Sequence, residues 1–243
     1  MPLNIDTRYT AQGQDSRVQH LVIHFTAEDM ARSLQILTQQ DVSAHYLVSD
    51  ETPPRVYRLV DESQRAGHAG LSSWRGNTAL NASSIGIEIV NLGDVNTPEG
   101  KRYTPYPPEQ IELVVSLVKD IVARHGIRPD RVVGHSDIAP QRKVDPGPLF
   151  PWFRLGELGL VVWPDAQRAA AAQPAFEAQL PEAEWFQRAL AAHGFDVPRH
   201  GQWDEATRRV LAAFQMKYRP QRYDGVPDAQ SAALLQVLTT PSP

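Results

Sequence analysis

GHSDIAPQRKVDPGP, residues 134–148, sets His135 and Asp145 ten residues apart, with Lys143 between them and Pro140, Pro146 and Pro148 around them. Far upstream, VIHFTA (22–27) supplies a further histidine, His24, at the end of an apolar run. A catalytic zinc usually takes three protein ligands from neutral imidazoles and a carboxylate and keeps a fourth position open for water. The stretch therefore points to metal-assisted hydrolysis. It also organises the fold, because two histidines at the C-terminal ends of β segments and an aspartate in a proline-stiffened loop can converge on one rim of a sheet. Taken singly, His24 and His135 read as hydrogen-bonded packing residues and Asp145 as a turn residue. His45, His68, His125, His193 and His200 compete with them for ligand roles, and composition does not rank them.

The segments around this stretch alternate in character. LVIHF (21–25) is a continuous apolar run, as expected of a strand buried on both faces. A helix is predicted over 28–39, strands over 44–48 and 55–60 about Pro53-Pro54, and another central strand over 84–90. Ile111, Val114, Val115, Val118 and Val122 form an apolar stripe along a helix predicted over 109–125, which Gly126 can end. Strands alternating with helices predict an α/β domain with a mixed central sheet flanked by helices, over residues 1–163. Residues 164–181 are rich in Ala, Gln and Pro with weak periodicity and read as a linker. Three amphipathic helices are predicted over 182–193, 204–218 and 228–238, forming a small C-terminal domain over 182–243. That size lies near the lower limit for independent stability.

Bulk properties narrow the function classes. With 24 basic and 28 acidic side chains the 243-residue chain has a formal net charge of −4 and no basic block, which argues against nucleic acid as a partner. There is no cysteine, so disulfides, thiolate zinc sites and cysteine nucleophiles drop out, and any metal must be held by His, Asp or Glu. No apolar run approaches the roughly 20 residues of a membrane span. The polar start MPLNIDTRYTAQGQDSRVQ has no signal-peptide core, which fits either a cytoplasmic protein or one whose export signal has been removed.

Two further side chains carry chemistry. Glu88 lies in SIGIEIV between apolar neighbours. A carboxylate there must be ion-paired, or else have a pKa raised by burial as suits a general base. Lys143, two residues before Asp145, is either a solvated loop cation or a donor to the oxyanion formed when water attacks a carbonyl.

VIHFTA (22–27), SAHYLV (43–48), HAGLSSW (68–74), SIGIEIVN (84–91) and GHSDIAPQRKVDPGPLFPW (134–152) together resemble the zinc-dependent N-acetylmuramoyl-L-alanine amidases of the AmpD/AmiD type, which share the fold of the peptidoglycan-recognition proteins. The resemblance runs from about Val18 to Trp163 in the same order. GFDVP, WDEATRRVLAAFQ and YDGVPD are similar to a three-helix peptidoglycan-binding domain, with RPQRYDG lengthening its last connection.

This resemblance implies one zinc ion held by His24, His135 and Asp145, with Glu88 as general base and Lys143 as transition-state stabiliser. It implies a substrate groove lined by His45, Tyr46, His68, Trp74 and Asn81. The bond cut would join the lactyl group of N-acetylmuramic acid, or of its 1,6-anhydro form, to L-alanine of the stem peptide, in cell-wall turnover. Peptidoglycan and muropeptides would be the partners. A periplasmic, outer-membrane-associated location, peripheral or through a lipid anchor, would need an export segment outside this chain. The alternative is a recognition protein of the same fold that binds muropeptides without cutting them, and the full set of five polar residues favours the enzyme. A zinc peptidase acting on the stem peptide is a third reading; no HExxH occurs.

Overall fold

A computed structural model describes residues 2–97 and 100–240. Strand β1 (His20–Phe25) leads into helix α1 (Met30–Gln39), then β2 (Tyr46–Val48) and β3 (Val56–Arg58). A small hairpin of β4 (Ser73–Trp74) and β5 (Asn77–Thr78) precedes β6 (Ser84–Ile89). A second hairpin of β7 (Asp94–Thr97) and β8 (Gly100–Tyr103) precedes the long helix α2 (Pro108–His125). Strand β9 (Val132–Gly134) runs directly into the short α3 (His135–Ile138), followed by α4 (Trp152–Glu157). The chain ends in α5 (Ala166–Ala178), α6 (Ala183–His193), α7 (Glu205–Tyr218) and α8 (Ala229–Thr239).

The central sheet has five strands in the order β3-β2-β6-β1-β9. The pairs β1–β6, β1–β9 and β2–β6 are parallel and β2–β3 is antiparallel, so this is the mixed α/β sheet expected. Alternation along each strand divides its side chains between two faces. Leu21 and Ile23 of β1 and Ile85, Ile87 and Ile89 of β6 share one apolar cluster with Ile111, Val114, Val118 and Ile121 of α2. On the other face Val22 and Val133 belong to a cluster that also holds Phe186, Leu190, Val210, Leu211 and Phe214 of the C-terminal helices. Both faces are covered, which explains why LVIHF reads as a continuous apolar run rather than an alternating one.

Register then decides the functional edge. In β1–β6 pairing His24 stands opposite Glu88. His24 lies on the Val22 face, since it is two residues further along the strand. His135 follows the end of β9. The polar residues thus gather at the C-terminal ends of parallel strands, where ligands bind in open α/β sheets.

The segment 164–181, expected as a linker, instead carries α5, capped by Asp165, whose side chain accepts from Arg168 N. The alanine run 169–172 is the strongest of helix formers. Pro174 and the lack of an apolar stripe masked it, since only Ala169 is buried. Phe176 of this helix packs against Trp185 of α6, ring centroids 5.4 Å apart. The other three C-terminal helices lie where predicted, with Asp204 and Asp228 as side-chain caps of α7 and α8.

Trp74 joins the two halves of the chain. It is 2% exposed, its ring lies 5.1 Å from that of Phe195, and its Nε1 donates to Asp130 O. Trp74→Ala should cost about 3–5 kcal/mol, and calorimetry should show the sheet and C-terminal helices still melting in one transition. Two resolved transitions would show instead that they unfold separately.

Two buried histidines outside the polar edge contribute to the acid sensitivity of the fold. Burial, aided by the Arg131 charge, pushes His20 down to about 4, and both its ring nitrogens lack a partner among the described residues. Burial, then Lys217 and Arg75, pushes His193 down to about 3. An unfolded histidine titrates near 6.5. Below that pH the unfolded chain binds more protons than the folded one, so stability is full above about pH 6.5 and falls as the pH drops towards 4. Tm measured from pH 7 to pH 4 should fall, and the slope should flatten in His20→Asn.

Candidate metal centre and active site

Three side chains from distant parts of the chain meet at the sheet edge. His24 Nδ1 lies 2.9 Å from His135 Nδ1 and 2.9 Å from Asp145 Oδ2, and His135 Nδ1 lies 3.0 Å from the same oxygen. All three residues are buried. The turn that brings Asp145 here depends on Gly134: a Cβ at that position would lie 2.7 Å from Pro146 Cδ.

Hydrogen bonding around the triad decides where its protons are. Ser84 Oγ donates its one proton to Leu80 O at 2.6 Å, so its 3.1 Å contact with His68 Nε2 must be an N–H donated by the histidine. Burial, followed by the charges of His24, His45 and His135, holds His68 well below its usual pKa, so it is neutral and its Nδ1 is a bare acceptor. His24 Nε2, 3.0 Å away, donates to it. His135 Nε2 in turn donates to Ala69 O at 3.2 Å. Burial lowers His24 to about 4, the charge of His135 adding to this and Asp145 opposing it. Burial by itself would raise the Asp145 carboxyl, but His135 and His24 outweigh it and hold it far below the usual range.

With Nε2 of each ring committed as a donor, a neutral imidazole at either position turns its Nδ1 lone pair towards Asp145 Oδ2. A cation resolves that arrangement. Ligand atoms about 2.1 Å from a tetrahedral metal lie roughly 3.4 Å apart, close to the separations seen. Two imidazoles and one carboxylate suit zinc among the common divalent ions.

Glu88 and Lys143 border the same cavity, of about 220 Å³. Burial, then the Asp145 charge, raises the Glu88 carboxyl well above the ordinary carboxylate range, against an opposing pull from Lys143. Its Oε2 is buried without a hydrogen-bond partner. Among the described residues Lys143 Nζ has no ion-pair or hydrogen-bond partner either, and its backbone N–H is held by Ala139 O at 3.1 Å.

The expected groove residues fare differently. Only His68 borders the cavity, and it acts behind His24 as the acceptor that orients it. Its ring occupies space that Gly86 leaves free, since a Cβ there would lie 2.4 Å from His68 Cγ. His45 is 1% exposed and its Nδ1 accepts from Gly86 N, so it ties β2 to β6. Tyr46 turns to the α2 face, where its hydroxyl donates to Glu62 Oε1 at 2.6 Å beside Arg124 and His125. Trp74 is core, as described above. Asn81 Oδ1 accepts from Ala69 N at 2.6 Å and so holds the segment that bonds both metal-site histidines. A strand residue's side is legible from alternation, but what covers that side is set by chain far away. The cavity wall comes partly from Ser33, Ile36 and Leu37 of α1 with Val42 and Ser43 beyond it. Their apolar spacing reads as core, and no sequence signal marks Ser84.

Partners behind metal-ligating histidines are typically worth 10–100-fold in metal affinity. Ser84→Ala removes the acceptor that fixes the His68 tautomer, so it should weaken divalent-metal binding by about tenfold or more in a chelator-competition titration. Unchanged affinity would show that this chain of hydrogen bonds does not orient His24.

The family model for N-acetylmuramoyl-L-alanine amidases matches residues 14–148, and one for a peptidoglycan binding domain matches residues 179–235. N-acetylmuramoyl-L-alanine amidase AmiD of Escherichia coli is 45% identical, over 96% of this chain and 87% of that protein. The structure of AmiD from E. coli with anhydro-N-acetylmuramic acid-L-Ala-D-γ-Glu-L-Lys superposes with a TM-score of 0.86 at 43% identity, covering 96% of this chain and 93% of that one. AmpDh3 from Pseudomonas aeruginosa, in complex with anhydromuramic pentapeptide, superposes with a TM-score of 0.89 at 36% identity, covering 98% and 97%. With a folded core, a polar edge and a sequence match that extend over nearly the whole chain, this protein belongs to the N-acetylmuramoyl-L-alanine amidase family.

Proposed function

We propose that this chain is a zinc hydrolase that cuts the amide between the lactyl group of N-acetylmuramic acid, in its MurNAc or 1,6-anhydro form, and L-alanine of the peptidoglycan stem peptide. The observation that carries this reading is the convergence of His24, His135 and Asp145 within 3.0 Å of one another, with Glu88 and Lys143 on the cavity that His135 and Asp145 also line. The anhydromuramyl peptides bound by AmiD and AmpDh3 support the substrate class.

Bound zinc supplies water acidified to near neutrality and a Lewis acid for the scissile carbonyl. The chain's own residues do the rest. Glu88, whose carboxylate burial makes a stronger base, takes a proton from the attacking water and passes it to the alanine nitrogen as the C–N bond breaks. Lys143 places its unpaired ammonium near the oxyanion that develops on the lactyl carbonyl oxygen. His68 and the Ala69 carbonyl keep the two imidazoles in one tautomer throughout.

The C-terminal helices read as a peptidoglycan-binding domain over 182–243, supported by the family match to 179–235. Action on peptidoglycan places the work of the protein in the cell envelope, and we assign it to the periplasmic side of the outer membrane. No helix among the described residues is long and apolar enough to cross a membrane.

Mass spectrometry of purified peptidoglycan and of an anhydromuramyl tripeptide after digestion should find free stem peptide beginning with L-alanine. Release of D-amino acids alone would overturn the assigned bond. Glu88→Ala should keep its zinc while kcat falls by about 10²–10⁴-fold; near-normal turnover would remove Glu88 as the base.

A further inference from the structure

A buried charged contact between the C-terminal helices and the sheet domain lies beside the turn that carries His135. Lys217 of α7 is 5% exposed and Asp137 of α3 is 1% exposed, and Lys217 Nζ donates to Asp137 Oδ2 at 2.7 Å. The same oxygen accepts from Gly134 N at 2.8 Å. Lys217 Nζ also sits 4.1 Å from the centroid of the Trp152 ring, which flanks Gly134. Asp137 Oδ1 is buried with no partner, so Lys217 is the one cation in contact with this carboxylate among the described residues.

The turn that Asp137 holds carries two of the three metal-site residues. His135 follows Gly134 directly. Ser136 N donates to Asp145 O at 2.9 Å, so the backbone of the same turn also fixes Asp145. A buried carboxylate stripped of its only cation is strongly unfavourable. The turn would shift to let water reach it, and His135 and Asp145 would shift with it. Partners that orient metal ligands are typically worth 10–100-fold in metal affinity, so such a shift weakens zinc binding.

We propose that Lys217 is a positioning residue for the metal site: by neutralising Asp137 it clamps the 134–137 turn, which makes the C-terminal helical domain a structural part of the zinc centre. The inference rests on the metal-site reading above. It assigns the C-terminal helices a role in the chemistry that is separate from binding the cell wall.

The test is the zinc dissociation constant of the full-length chain by chelator competition, with Tm of the zinc-free protein as the control for general destabilisation. Lys217→Met should weaken zinc binding by about tenfold or more. Asp137→Asn/Lys217→Met keeps an oxygen for Gly134 N–H but has no buried charge, so it should bind zinc within about threefold of wild type. A Lys217→Met affinity within threefold of wild type, whatever happens to Tm, would overturn the proposal. So would a double variant that loses as much affinity as Lys217→Met. Where Lys217→Met does not fold, the double variant decides alone: affinity within threefold supports the clamp and a tenfold loss overturns it. Wild type that binds no zinc would overturn the metal-site reading itself, so the two failures are distinguishable.

Discussion

His24 Nδ1, His135 Nδ1 and Asp145 Oδ2 crowd within 2.9–3.0 Å of one another, and the hydrogen bonds behind the two rings turn the Nδ1 lone pair of each neutral imidazole inward. Such a cluster of lone pairs is repulsive until a cation sits between them, so the surrounding structure has to hold it. Two parallel strand pairings set His24 and His135 at one sheet edge. A glycine at 134 lets the Asp145 loop close on them. Ser84, His68, Ala69 and Asn81 then form a polar layer that hydrogen-bonds the two rings and the segment that orients them.

The same constraint accounts for what lies further out. A polar layer behind the site must be dry if its hydrogen bonds are to direct tautomers, since water would offer competing partners. Burial of His24, His68 and Asp145 meets that need, and the C-terminal helices contribute to it by covering the Val22–Val133 face of the sheet. The helices that resemble a separate module share one apolar cluster with the catalytic half. Lys217 reaches through that contact into the turn carrying His135. Glu88 and Lys143, by contrast, stand on the open side, bordering the cavity, and neither side chain has a hydrogen-bond or ion-pair partner among the described residues.

Much of this was legible before any coordinates. Apolar runs and caps marked the strands and most helices, because burial of a strand's two faces and of a helix stripe leaves a periodic trace in composition. The exceptions share a cause. Helix α5 buries little beyond Ala169, so its propensity was present but its stripe was absent. The β7–β8 hairpin is polar and left no alternation. The resemblance to the amidases implies Trp74, His45 and Tyr46 as lining of a groove. Trp74 and His45 are instead buried in contacts made by segments far away in sequence, and Tyr46 turns to the α2 face.

The sequence by itself determined which donor chemistry the protein has. Without cysteine, a metal site had to use His, Asp or Glu, and the spacing of 134–148 singled out His135 and Asp145 with Lys143 beside them. It determined the strand faces as well, since alternation is a local property of the backbone. Only the tertiary structure decided which ring nitrogen faces the site, because a tautomer is set by the partner of the other nitrogen, and those partners lie 44 and 66 residues away. Only the tertiary structure decided that Lys217 pairs with Asp137, 80 residues earlier. Nothing local to either residue encodes that contact, since it exists only where the C-terminal helices pack against the sheet.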